Sequence, residues 1–151
     1  MFIELADSIY EYTQQTAEKL LRLTESQAAQ KPAPGKWSPK EILGHLIDSA
    51  ANNHQRLVRA QLVDELIFPG YAQEPWVALQ GYQEGPWSLL VEFWRLYNWR
   101  LTEVMRRIPA GQGGKPCRIG ESAAITLHFL AQDYLRHLRH HIDSIPSGQT
   151  E

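Results

Sequence analysis

The stretch WSPKEILGHLIDSAANNHQRLVRAQL, residues 37–62, reads as a helix with its start written in side chains. Ser38 is an N-cap residue and Pro39 suits the first helical position. Glu41 stands three after Ser38, where its carboxylate can reach back to the cap. No breaker follows until about Leu62, so the spacing predicts some 24 residues of continuous helix. Working outward, KPAPGKW (31–37) separates it from a preceding helix over about Phe2–Thr24, where apolar residues recur at helical intervals. Residues 63–86 hold three prolines and three glycines and form a long connection, with EPWVALQGY able to make a short turn of helix. Such a connection is either functional or a plug at one end of the fold. A third helix is predicted over Trp87–Ile108 and a fourth over Glu121–Ile145, joined by the loop PAGQGGKPCRIG (109–120).

No alternation of strand period, internal repeat or low-complexity tract is evident. Four helices of roughly 20 residues, each about 30 Å long, predict an all-α fold. The architecture expected is an antiparallel four-helix bundle with a long crossover between the second and third helices. The whole chain, 1–151, is read as a single domain, with 146–151 a frayed tail after Pro146.

Composition narrows the function classes. Hydrophobic residues make up 43% and charged residues 21%, as in an ordinary globular chain, and the net charge of −2 speaks against nucleic acid or anionic lipid. Cys117 is the single cysteine, which excludes an intramolecular disulfide and a multi-cysteine zinc site. It lies in a glycine-rich loop and is read as a bystander. No apolar run is long enough to span a membrane and no signal peptide is apparent, so the cytoplasm is the expected compartment.

The histidines offer the chemistry. His137, His140 and His141 fall within five positions of the last helix. At 100° per residue its apolar face centres near Leu138; His141 lies about 60° and His137 about 100° from that centre, on one side. His140 points about 160° away, toward solvent. His137 and His141 are thus an i, i+4 pair whose rings can share one ion. On the second helix His45 stands in line with Ser49, Asn52 and Arg56 at the edge of the apolar face; His54 points elsewhere. Periodicity leaves two roles open for His45: a third ligand, or a core-edge residue bonded to Asn52 or Ser49.

KWSPKEILGHLIDSAANNHQRL (36–57) resembles the second-helix motif of the DinB/YfiT-like superfamily, a tryptophan and capped start leading to a histidine before Leu. YLRHLRHHIDSI (134–145) resembles that family's last-helix motif, with Ser144 where glutamine is common; FPGYAQEPWV (68–77) resembles its crossover. The resemblance implies a four-helix bundle holding a divalent metal, zinc or nickel, on His45, His137 and His141. Asp48 and Asn52, one and two turns after His45, are candidates to orient a ligand or bound water; the family's pocket opens beside the crossover, which makes Tyr71 and Trp76 candidate walls. Three neutral ligands with open positions suit catalysis, on bound water or on a bound thiol. The activity implied is low-molecular-weight-thiol transfer, with bacillithiol or mycothiol as thiols in relatives. A metal-dependent hydrolase and a non-catalytic metal-binding stress-response bundle are the alternatives. The substrate is a small molecule, the assembly expected is a homodimer, and no general base is identified.

Overall fold

The structure, a computed structural model, describes residues 1–148. Four long helices dominate: α1 (Phe2–Leu20), α3 (Pro39–Ala60), α5 (Trp87–Arg106) and α6 (Leu127–Ile142). Two shorter ones are α2 (Glu25–Ala29) and α4 (Gln73–Gln80). The start of α3 is as its sequence predicts. Ser38 Oγ accepts from the Glu41 amide at 3.2 Å, and the Glu41 carboxylate accepts from the Ser38 amide at 2.8 Å.

The long helices close into a ring in which α1 packs on α5, α5 on α3, α3 on α6, and α6 on α1. Helices consecutive in the chain, α1 with α3 and α5 with α6, therefore lie across the bundle from each other. The core fills the ring with residues such as Ile9, Leu43, Leu46, Leu57, Trp94, Leu101 and Leu138. From Ile42 to Ala50 every residue of α3 is buried, because α2, α4, α5 and α6 surround that half of the helix.

Three sequence expectations need correction. The fold is not all-α: β1 (Leu66–Phe68), β2 (Pro116–Ile119) and β3 (Ile125–Thr126) form a small sheet. In it β1 runs parallel to β2 and β2 antiparallel to β3, with Leu66 opposite Cys117 and Cys117 opposite Ile125. These strands are two to four residues long, too short to show an alternation, and their pairing joins the two long connections. The first helix stops at Leu20 rather than Thr24, because Thr24 and Gln27 form a capping box of their own and start α2. The last helix begins at Leu127 rather than Glu121, capped by Thr126 Oγ1, since Ile125 and Thr126 are drawn into the sheet.

The crossover carries the expected short helix, α4, which ends at Gly81 with φ 65°. Glu25 braces this end of the molecule, pairing with buried Lys40 and accepting from the Trp87 amide at 3.0 Å. Pro146, Ser147 and Gly148 run beside Leu23 and Gln27; the rest of the predicted tail, 149–151, lies outside the described residues.

Candidate metal centre

Packing of α3 on α6 brings His45, His137 and His141 together, with one ring nitrogen from each within 4.8 Å of the others. His45 is 1% exposed, and its Nε2 faces His137 Nε2 at 3.2 Å. Two ligands at a tetrahedral angle on bonds of ~2.0–2.1 Å stand roughly 3.3 Å apart, so that spacing suits a shared ion. The His141 ring centroid is 4.5 Å from those of both His45 and His137. His140 is exposed and outside the cluster, its ring edge-on to that of His141 at 5.0 Å between centroids.

Burial and mutual proximity keep the rings neutral. Desolvation first, then the neighbouring His141 and His137, push His45 down to about 3. Desolvation followed by His141 takes His137 to about 4, against an opposing pull from Asp133. Burial, then His140, lowers His141. Neutral imidazoles present their lone pairs at ordinary pH, which is the form that binds metal. Ser49 Oγ lies 3.3 Å from His137 Nδ1 and orients that ring. The Trp37 ring leans over His45 at 5.1 Å between centroids, and His45 Nδ1 is buried without a hydrogen-bond partner.

Other residues singled out from the sequence take different places. Neither Ser49 nor Asn52 bonds His45; Ser49 serves His137, and Asn52 Nδ2 donates to the Asp48 carbonyl at 2.9 Å. Asp48 is 3% exposed and turns to the crossover, where its Oδ1 accepts from Tyr82 Oη at 2.6 Å and Gln80 Nε2 at 2.7 Å. Gly44 makes this possible: a Cβ there would stand 2.1 Å from Tyr82 Cδ2. Tyr71 lines a cavity beside the histidines, and Trp76 packs behind it, 4.9 Å between ring centroids. Cys117 is fully buried and burial raises its pKa, the behaviour of an inert thiol.

Two cavities are lined by residues of the cluster. A polar one of about 410 Å³ includes His45, Ser49, Arg56, Tyr71 and His137. A larger, more apolar one of about 690 Å³ includes Leu23, Pro32, Trp37, Ile42 and His141. Ser144 borders the second, and its hydroxyl donates to the His141 carbonyl at 2.6 Å. Sequence reasoning missed Trp37, Gly44, Tyr82 and the isolation of Arg56. Three of these left a signal: Trp37 as the tryptophan before the capped start, Gly44 as a glycine inside a helix, and Arg56 by its place on the His45–Ser49 line.

The DinB superfamily family model matches residues 9–145. No curated protein matches the chain. Among solved structures, YfiT from Bacillus subtilis superposes with a TM-score of 0.78 at 22% identity, covering 95% of this chain and 81% of that one. It is described as a probable metal-dependent hydrolase with an unusual four-helix bundle topology. The mycothiol-dependent maleylpyruvate isomerase superposes with a TM-score of 0.76 at 12% identity, covering 99% of this chain and 61% of that one. At these identities both likenesses concern the fold.

Proposed function

The chain belongs to the DinB superfamily, and from that premise we propose that His45, His137 and His141 hold one divalent ion, zinc or nickel. The site so formed is that of an enzyme acting on a small molecule, and the reaction is transfer of a low-molecular-weight thiol. One observation carries the reading: three imidazoles converge, with His45 and His137 lining one cavity and His141 lining another. An ion on three uncharged ligands supplies positive charge that favours a thiolate over its thiol.

The chain's own residues do the rest. Desolvation holds the three rings unprotonated, Ser49 sets the orientation of His137, and Trp37 confines His45. The polar cavity accommodates one reactant and the apolar cavity the other. A bimolecular transfer gains from holding both partners in register. Hydrolysis is the second reading, favoured by the description of YfiT, and it needs only one of the cavities.

The outer face of α5 exposes Leu89, Phe93, Leu96 and Trp99, which supports a homodimer. No helix among the described residues is long and apolar enough to cross a membrane, and the cytoplasm is the compartment we assign.

Elemental analysis of tag-free protein, followed by assays of electrophile conversion with and without thiol, tests the proposal. About one equivalent of metal and thiol-dependent conversion abolished by chelator is the expected result. Thiol-independent cleavage would select hydrolysis. Metal without any turnover would leave a binding module.

A further inference from the structure

Arg56 lies eleven residues after His45 on α3, about 20° from it around the axis and roughly 16 Å along it. Helical side chains lean toward the N-terminus, so Arg56 leans toward the histidines and lines their polar cavity. Its Nε is buried and has no hydrogen-bond partner. Among the described residues it enters no ion pair. Other arginines do: Arg95 with Glu92, Arg106 with Asp7 and Glu103, and Arg118 with Glu65. The carboxylate that borders this cavity, Asp133, is paired with Arg136. What holds Arg56 in place is the Phe68 ring, whose centroid is 5.4 Å from Cζ.

Arg56 is half-buried, and desolvation of its Nε without a counter-ion costs stability. Its position on the wall of the cavity that His45 and His137 also line is accounted for if the counter-ion arrives with a ligand. We propose that Arg56 receives a carboxylate carried by the small molecule bound in the polar cavity, whose other end lies at the three histidines. The planar guanidinium matches a carboxylate with two parallel hydrogen bonds. Its single charge balances one carboxylate, whereas a phosphate dianion would remain half compensated. Ser49, Asn53, Tyr71 and Ser122 add neutral polar groups along the same wall.

The inference rests on the metal reading for the ligand's reacting end and not for its carboxylate. Calorimetry on metal-loaded protein should compare ω-mercaptohexanoate with ω-mercaptohexanol. The carboxylate is expected to bind about tenfold more tightly. That preference should vanish in Arg56→Gln and persist in part in Arg56→Lys. The unfolding temperature of Arg56→Gln should stay near that of the wild type, since the desolvated charge and its contact with the Phe68 ring are lost together and no native ion pair is broken. Equal affinities in the wild-type protein, or a preference surviving Arg56→Gln, would overturn the assignment. A chain that takes up no metal would defeat the ligand set alone. Hexanoate against hexanol on that metal-free protein then reads the same preference, and equal binding there overturns the role of Arg56.

Discussion

Two buried polar clusters sit one turn apart on α6, and they are built oppositely. Tyr134 Oη donates to Asn98 Oδ1 at 2.6 Å, and Asn98 Nδ2 donates to the Trp94 carbonyl at 2.9 Å. Donor meets acceptor, as in a polar pair that serves packing. At the histidines nitrogen faces nitrogen, His45 Nδ1 has no partner, and protonation is driven well below neutral pH. Complementary burial marks a structural pair; three ring nitrogens brought within 4.8 Å of one another fit the proposed ligand set.

The largest effect should come from breaking the proposed ligand set. His137→Ala and His141→Ala are expected to reduce bound metal from about one equivalent to background, while His140→Ala retains it. Equal loss in all three variants, measured by elemental analysis, would erase the distinction drawn from the helical period. Tyr134→Phe should act on the other cluster alone. It leaves Asn98 Oδ1 buried without its donor, at about 1–3 kcal/mol of stability by urea unfolding, with metal content unchanged. A variant that keeps its stability but loses metal would show the two clusters to be one.

The smallest effect concerns Asp48, a third buried group that combines both patterns. Its Oδ1 is satisfied by Tyr82 and Gln80, and its Oδ2 has no partner. Burial raises its pKa above the ordinary carboxylate value, against those two hydrogen bonds. The folded state therefore holds the proton more tightly than the unfolded state. The wild type should lose stability relative to Asp48→Asn as pH climbs from about 4 toward neutrality, an unfolding-temperature gap of roughly 2–4 °C. A gap that widens toward acid would reverse the sign and refute the account.

Legibility of fold and site follows the range of the forces involved. The α3 start is decided by Ser38, Pro39 and Glu41, within four residues, and could be read directly. The same holds for the split of His137 and His141 from His140, which needs only the helical period. Ser49 was visible on the His45 line, yet its partner is on another helix, so the pairing with His137 was not. Gly44 gave no hint of Tyr82, 38 residues later, because a missing Cβ signals a close approach without naming what approaches. The strands failed for a related reason. Leu66 and Cys117 pair across fifty residues, and neither segment carries enough alternation to announce itself.

Local chemistry thus determined where the main helices lie, how α3 begins, and which histidines of the last helix share a side. Caps and side-chain period act over one or two turns, so they survive without the rest of the chain. Tertiary structure decided the ring order of the helices, the small sheet, the meeting of His45 with His137 and His141, and the isolation of Arg56. These depend on which distant side chains are packed together once water is excluded. No residue carries that information by itself, because burial and the supply of partners belong to the assembled core.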